Sequence, residues 1–339
     1  MISYVQACSI HSFVILLHQT YKHYLNAGCS VLTTCTRQAN VQALQEHFCI
    51  EVPEAEELIA TSMSLPQKTA QEKRADNPTS AFAGSVGSYG AYPYDSSEYT
   101  GSYAITMSVK ELCDWHRLKV QHLVRLGCDL LAFETISALQ EALALLQLLR
   151  EHPGTKGWLS FGCQDEKLTA KGECLQKAIQ AVLGKDSGSQ ICAIRVNCCR
   201  PDMVGLLLKD ARKEGQSPLV AYADAEVASW TLVPKDSDQL GNYVAEWYRA
   251  GVRYFGGCCF TGTAHITAIV QALTGHEHLN LFVSSTNNLQ ALLGVIQQHV
   301  LYSYLYMCAY IVSLTARTRT IWEQFCMYLF KSMHLMQMK

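Results

Sequence analysis

Three cysteines lie at positions from which their thiolates could bind one metal ion. Cys258 and Cys259 follow the glycine pair Gly256-Gly257 at a point where a predicted strand ends and a helix begins, and Cys198 follows an earlier predicted strand in the same way. Thiolates are strong zinc ligands, and three protein ligands with a fourth position left open are typical of a catalytic rather than a structural zinc ion.

The alternative is that these thiols are unrelated core side chains, because free cysteine is buried as readily as other small apolar residues. Two features favour the metal site. Gly256 and Gly257 remove side chains where the backbone must approach a bound group closely. Adjacent thiols diverge in an extended strand, so both can bind one ion only where the chain turns.

The elements needed to bring these cysteines together are those of an α/β barrel. Short apolar or β-branched runs alternate with segments of helical period, which indicates a parallel sheet with helical crossovers. Seven such strands predict a (β/α)8 TIM barrel that lacks its first strand, and in a barrel the carboxyl ends of distant strands meet around one pocket. The predicted strands are Val31 to Cys35, Phe82 to Val86, Leu130 to Phe133, Trp158 to Gly162, Cys192 to Val196, Leu219 to Tyr222 and Val252 to Phe255.

Helices are predicted between these strands, and nucleotide-binding motifs are missing. No Gly-x-Gly-x-x-Gly follows the first strand and no Walker A sequence occurs, which argues against a doubly wound nucleotide-binding fold. The stretch from Pro66 to Ser80 is predicted to be a linker or surface excursion. The clearest predicted helices are Val109 to Leu126, Ala138 to Arg150, Met203 to Lys213 and Tyr243 to Ala250.

Composition points to small-molecule chemistry. The chain has 339 residues and a formal net charge of -2, which gives no basic surface for nucleic acid. Its 15 cysteines are spread along a chain without a recognisable signal peptide, so we expect a reducing, cytoplasmic setting and no disulfide framework. The oligomeric state is left open.

The two ends of the chain are atypical, and we divide it into an N-terminal segment 1–17, a barrel domain 18–280 and an apolar C-terminal tail 281–339. Residues 291–316 contain no Asp, Glu, Lys or Arg and are long enough to span a bilayer. Gln297, Gln298 and His299 weaken that interpretation, so a packed or partly exposed helix is predicted for this tail and a membrane location is not expected.

Several segments within and just after the predicted strands carry a resemblance to a known family. They are Ala83-Gly-Ser-Val-Gly-Ser-Tyr-Gly-Ala91, Ser97-Glu-Tyr-Thr-Gly-Ser-Tyr103, Asp129-Leu-Leu-Ala-Phe-Glu-Thr-Ile136, Val196-Asn-Cys198 and Gly256-Gly-Cys-Cys-Phe-Thr-Gly-Thr-Ala-His-Ile266. From about His18 to about Ala272 the chain resembles the homocysteine S-methyltransferases. The resemblance implies a barrel with one zinc ion that transfers a methyl group from a sulfonium donor, S-methylmethionine or S-adenosylmethionine, to homocysteine, giving methionine.

The resemblance also implies roles for particular residues. Cys198, Cys258 and Cys259 would be the zinc ligands, although the sequence alone does not exclude Cys199 in place of Cys198. Glu134 would hold the substrate amino group, because an ammonium in a partly dry pocket needs a charged acceptor.

The remaining candidate residues lie in less specific sequence motifs. Ser85 lies in the stretch from Gly84 to Gly90, whose backbone amides could hold a carboxylate or another polar substrate group, with a plain turn as the alternative. His265, at the start of the last predicted helix, is assigned a packing or capping role. Trp158, Phe161 and Asp165 also resemble family positions and are assigned structural roles only.

The chain departs from the family at its beginning, because no Asp-Gly-Gly occurs in it. The first strand and the substrate-binding groups on it are therefore expected to be missing, which would leave two sheet edges unpaired unless Ser12 to Leu17 substitutes. An alternative function follows from this departure: a truncated, catalytically inactive relative that retains zinc binding. Betaine also remains open as a methyl donor.

Overall fold

Strands and helices alternate along the chain in the computed structural model, which describes residues 18–48, 50–74, 80–93, 95–208, 218–225, 227–228, 233–234, 238–275 and 294–297. The strands are β1 (Val31–Thr33), β2 (Ala81–Gly87), β3 (Leu130–Ile136), β4 (Gly157–Phe161), β5 (Ile191–Asn197), β6 (Leu219–Ala223), β7 (Val227–Ala228), β8 (Val233–Pro234), β9 (Val252–Gly257) and β10 (Gly294–Gln297). All seven strands predicted from the sequence are present, so the α/β prediction is confirmed.

The helices cover the outside of the sheet. They are α1 (18–26), α2 (Val41–Phe48), α3 (Val52–Arg74), α4 (Val109–Arg125), α5 (Leu139–Arg150), α6 (Leu175–Lys185), α7 (Pro201–Leu208), α8 (Asp238–Ala250) and α9 (Thr263–Gly275). Three short 3-10 helices, Tyr89–Ala91, Ser97–Tyr99 and Ser102–Ile105, lie between β2 and α4.

Eight of the strands form a closed parallel barrel. Their order around the barrel is β1-β10-β9-β6-β5-β4-β3-β2, while β7 and β8 form a separate antiparallel pair. The seven strands predicted from the sequence follow one another around the sheet in chain order. This curled parallel sheet agrees with the TIM-like architecture that was expected.

The strand β10 corrects the expectation that the sheet edges would be left unpaired. It lies between β1 and β9, parallel to both, with Ile296 opposite Val31 on one side and Gly256 on the other. The prediction of a helical tail is therefore wrong at Gly294–Gln297. A short apolar run fits a strand as well as a helix, and the two open edges provided hydrogen-bonding partners. The rest of the tail and Ser12 to Leu17 lie outside the described residues.

The prediction of a linker from Pro66 to Ser80 is also wrong for its first part. The helix α3 continues through Pro66 to Arg74, while 75–79 lie outside the described residues. Ile59, Met63 and Ala70 are buried along this helix. This apolar stripe accounts for the helix continuing past a proline, whose ring removes one backbone hydrogen bond.

Alternation along the strands decides which side chains enter the barrel. In β3, Leu130 and Ala132 pack with the interior cluster, whereas Leu131 and Phe133 pack against the helices. Successive side chains of a strand point to opposite faces, so the same alternation directs Glu134 inward.

No helix in the described part of the chain has both the length and the apolar character needed to cross a bilayer. The interpretation of 291–316 as a possible membrane segment concerns residues that are not described, apart from the strand Gly294–Gln297.

Candidate metal centre

The candidate metal centre is built from the carboxyl ends of three neighbouring strands. Cys198 follows β5, Asp224 follows β6, and Cys258 with Cys259 follows β9. Backbone hydrogen bonds hold these ends together, with the amide of Cys198 donating to Tyr222 O at 3.1 Å and that of Cys258 to Ala223 O at 2.7 Å. The sheet ladder thus continues one residue beyond the strands and positions the side chains.

The spacing of the three thiols fits a single tetrahedral ion. The Cys198 and Cys259 sulfurs are 3.7 Å apart, and those of Cys258 and Cys259 are 4.0 Å apart. Together with a carboxylate oxygen of Asp224, all ligand atoms lie within 4.8 Å of one another. Zinc–sulfur bonds of about 2.3 Å place two sulfurs of a tetrahedron about 3.8 Å apart.

Local backbone conformation brings the adjacent cysteines to one point. Cys198 has φ of 54° and Phe260 has φ of 61°, so the chain takes the left-handed conformation at both strand ends. A Cβ on Gly257 would lie 2.3 Å from the Thr261 hydroxyl oxygen. Glycine is required at 257 because the turn folds back onto it, which is a reason internal to the protein rather than the approach of a bound group.

Cys199 lies away from this cluster. Its side chain is buried with Val204 and Leu207 in the layer between the sheet and the helices. The side chain of Cys198 instead packs against the interior cluster. The structure therefore brings Cys198, and not Cys199, to the other two thiols.

The electrostatics of the cluster show why it fits a cation. Hydrogen bonds from Cys198 and then Cys258 lower the pKa of Cys259 to about 5, whereas burial raises the pKa of Cys258 well above its usual range. Burial, and next the charge of Cys198, raises the pKa of Asp224 to about 8. Without a cation the group resists carrying several negative charges, and a divalent ion would stabilise them together.

Asn197 connects the metal centre to the end of β3. Its side-chain oxygen accepts from the Thr135 amide at 2.9 Å, and its side-chain nitrogen donates to the Thr135 hydroxyl at 2.8 Å. The same nitrogen lies 3.9 Å from the Cys258 sulfur. This fully buried amide therefore holds the strand end that carries Glu134 in a fixed relation to the thiols.

Glu134 and Ser85 meet inside the barrel. Both are fully buried, and the Ser85 hydroxyl donates to a Glu134 carboxylate oxygen at 2.5 Å. Ser85 lies within β2 rather than in a loop, and its amide donates to the Thr34 hydroxyl at 2.8 Å. The Ser85 amide is therefore bonded within the protein and its hydroxyl contacts Glu134, while a role of Ser85 in substrate binding stays a prediction.

A largely buried ion pair beside this site, Arg37 with Glu98, was not predicted from the sequence. Arg37 follows β1, and its Nη2 atom donates to Glu98 at 2.5 Å. The Lys119 ammonium donates to the carbonyl oxygen of Arg37 at 2.6 Å. The position of Arg37 just after a barrel strand was the signal that could have identified it, and the same signal applies to Asp224.

The segment that carries Glu98 is held by a buried carboxylate. Glu141 of α5 accepts from the Tyr89 amide at 2.6 Å and contacts His116 Nε2 at 2.8 Å, and the Tyr103 hydroxyl donates to its other oxygen. Glu141 is fully buried. The 3-10 helices between β2 and α4 are thus tied to two helices of the barrel.

His265 takes the capping position that was expected of it. Its Nδ1 atom accepts from the Gly262 amide at 3.0 Å, next to the start of α9. It is outside the group of described residues that could hold a metal ion.

Comparison with known proteins shows to which family the chain belongs. The sequence matches the family model described as homocysteine S-methyltransferase over residues 9–273. This chain belongs to the homocysteine S-methyltransferase family. The resemblance drawn from the strand-end motifs is thereby confirmed, and with it the assignment of the chain to a family of methyltransferase enzymes.

Similar members of the homocysteine S-methyltransferase family come from distant organisms. The chain is 32% identical to betaine-homocysteine S-methyltransferase of Drosophila melanogaster, over 76% of this chain and 83% of that protein. It is also 32% identical to homocysteine S-methyltransferase YbgG of Bacillus subtilis, over 75% and 82%. The metallated form of homocysteine methyltransferase MmuM from Escherichia coli matches in structure with a TM-score of 0.67 and 31% identity, covering 75% of this chain and 83% of that one.

Proposed function

We propose that this protein transfers a methyl group to the thiol of homocysteine, giving methionine, with one zinc ion held by Cys198, Cys258 and Cys259. The observation that carries the proposal is the approach of these three sulfurs to the spacing of a tetrahedral zinc site at the mouth of the barrel. Membership of the homocysteine S-methyltransferase family supports the substrate.

The residues of the chain have separate tasks in this reaction. Zinc, when bound, would lower the pKa of the substrate thiol while keeping its sulfur nucleophilic. Cys198, Cys258 and Cys259 would hold the ion, and a carboxylate oxygen of Asp224 lies close enough to the three sulfurs to be a further ligand. No side chain is then needed as a general base.

Glu134 would bind the substrate ammonium. Its carboxylate is fully buried inside the barrel, where a charge-assisted hydrogen bond is stronger than in water. Ser85 and Asn197 position the carboxylate, Ser85 by direct contact and Asn197 through the backbone of Thr135. Holding the ammonium and the thiol at two fixed points would align the thiol sulfur with the methyl group of the donor, which supplies much of the rate of a displacement.

A sulfonium compound, S-methylmethionine or S-adenosylmethionine, is the proposed methyl donor. Such a donor carries a positive charge on sulfur, so it attracts the attacking thiolate before transfer. After transfer the donor sulfur leaves as a neutral thioether, and the thiolate and sulfonium charges have cancelled. The name of the Drosophila relative includes betaine, whose methyl group is carried by nitrogen, so betaine belongs in the same assay.

Zinc content and methyl transfer by single cysteine variants test this proposal. We expect about one zinc ion per wild-type chain purified under reducing conditions, and loss of zinc in Cys198→Ser, Cys258→Ser and Cys259→Ser, because each removes a ligand. Cys199→Ser is the matched control, since Cys199 adjoins a ligand but lies in the helix-facing layer. Zinc would be measured by elemental analysis.

The assay of turnover uses zinc-loaded protein, homocysteine and each of the three donors in turn. Methionine formation that requires a sulfonium donor and disappears in the three ligand variants is the expected result. Retention of zinc in those variants would show that the three cysteines are not the zinc ligands. Stoichiometric zinc without methionine from any donor would show that the chain is not an active methyltransferase.

A further inference from the structure

Arg37 lies over the end of β2, beside the position of Glu134 in the neighbouring strand. A Cβ on Gly87 would come within 2.7 Å of the Arg37 Cγ atom, so the aliphatic part of Arg37 lies over Gly87. Gly87 is the partner of Glu134 in the register of β2 and β3. The side chain of Arg37 is only 12% exposed, so its guanidinium is held within this part of the molecule and does not extend into solvent.

The guanidinium of Arg37 is also close to the thiols. Glu98, and next Cys198 and Cys258 in their thiolate forms, favour the charged form of Arg37 and raise its pKa against the effect of burial, and the Lys119 ammonium donates to the Arg37 carbonyl oxygen. An anionic acceptor, a guanidinium and the candidate metal centre therefore share one small region at the ends of β1, β3, β5 and β9.

These three groups match the three functional groups of an α-amino acid that carries a thiol. Homocysteine has an ammonium, a carboxylate and a thiol, and the proposed function assigns the ammonium to Glu134 and the thiol to the metal. A carboxylate in a largely dry site needs a charge-assisted donor, and a guanidinium presents its donors in a planar fork that suits a carboxylate.

We propose that Arg37 binds the α-carboxylate of homocysteine and so makes the enzyme specific for an amino acid over a simple thiol. This inference rests on the proposed function. Arg37 supplies the interaction through its guanidinium, and Glu98 acts as a positioning residue that holds the guanidinium by Nη2.

Glu98 is itself fixed by its surroundings. The Ser137 hydroxyl donates to the backbone oxygen of Glu98 at 2.6 Å, and a Cβ on Gly90 would lie 2.5 Å from the Glu98 nitrogen. The side chain of Glu98 is 10% exposed. The ion pair is therefore preorganised, which reduces the entropy lost when a substrate carboxylate binds.

Two other roles for Arg37 make different predictions. As a purely structural partner of Glu98, it would affect folding and not the choice of thiol. As a cation that stabilises the thiolates, it would affect all thiol ligands to the same extent, because every one of them binds through sulfur. Only a carboxylate-binding Arg37 distinguishes two thiols that differ in the carboxylate alone.

The test compares L-homocysteine with 3-aminopropanethiol, which has the same amine and thiol but no carboxylate. Binding to the zinc-loaded protein would be measured by calorimetry for the wild type, Arg37→Gln, Glu98→Gln and the double variant Arg37→Gln/Glu98→Gln. The double variant removes both charges of the ion pair, so it avoids the uncompensated buried charge that a single substitution would leave. Circular dichroism would check the fold of each variant.

We expect wild-type protein to bind homocysteine about 100-fold more tightly than 3-aminopropanethiol, the size of a bidentate charged contact. Arg37→Gln and the double variant should lose most of this preference by weakening homocysteine alone, while Glu98→Gln, which keeps the guanidinium but loses the charge that holds it, should lose a smaller part of it. Equal weakening of both thiols, or an unchanged preference, would overturn the proposal. If the wild type binds neither thiol, the proposed function fails and the role of Arg37 fails with it.

Discussion

At the scale of single residues, Lys119 is the group whose burial has the clearest consequence for stability. Burial, and next the charge of Arg37, lowers the pKa of Lys119 to about 7. In the unfolded chain its pKa is about 10.4, so between pH 7 and pH 10 the unfolded state binds more protons than the folded state. The free energy of unfolding therefore rises with pH across this window, and the destabilisation caused by burying the ammonium is fully present only below pH 7.

We predict that Lys119→Met removes this rise. Between pH 7 and pH 10 the free energy of unfolding of the variant should increase less steeply than that of the wild type, by at most about 1.4 kcal/mol per pH unit. Urea denaturation at intervals of one pH unit measures both slopes. Lys110→Met is the control, because Lys110 lies on the same helix with its side chain 83% exposed. Parallel curves for Lys119→Met and the wild type would contradict the low pKa.

Single residues also show that the local sequence does not determine which side chains meet at the metal centre. Cys198 and Cys199 are adjacent, yet the backbone at 198 takes φ of 54° and only its side chain reaches Cys259. Asp224 has no distinctive motif around it, and only its position after β6 brings it to the thiols. Residue type predicts which groups can bind a metal, and the backbone decides which of them meet.

At the scale of secondary-structure elements, β10 closes the sheet. It pairs with β1 and β9 at once, so its removal would expose backbone donors and acceptors on both of those strands. The strand comes from the segment 281–339, which shows no family motif. Among the described residues, a strand from the C-terminal part of the chain thus occupies the place between β1 and β9.

We predict that a chain ending at residue 290 is markedly less stable than one ending at residue 300. The shorter chain lacks Gly294–Gln297, whereas the longer one retains it and serves as the control for removing the residues that follow. Thermal unfolding followed by circular dichroism compares the two. Equal melting temperatures would show that β10 contributes nothing to the closure of the barrel.

At the scale of the whole molecule, the metal centre joins strands that are far apart in sequence. Cys198 and Asp224 follow neighbouring strands, and Cys258 and Cys259 follow the next strand around the barrel, so an ion bound to all four would bridge β5, β6 and β9. A metal that binds the folded chain and not the unfolded one stabilises the fold by mass action.

Metal removal should therefore lower the melting temperature of the wild-type protein. We expect EDTA under reducing conditions to destabilise the wild type and Cys199→Ser alike, and added zinc to restore both. Cys258→Ser should melt at the same temperature with and without EDTA, because its site is incomplete. A wild-type melting temperature that does not respond to EDTA or to zinc would contradict a metal that bridges the three strands.

The sequence by itself determined the seven strands Val31 to Phe255, the strand-end cysteines and the family, because alternation, glycine turns and motif spacing are local properties. It did not determine that Arg37 lies over Gly87, that Asp224 joins the thiols, or that Gly294–Gln297 completes the sheet. Those relations join segments that are distant in sequence. Only the closure of the barrel decided them, since it sets which strand ends are neighbours and leaves two edges for one further strand to pair.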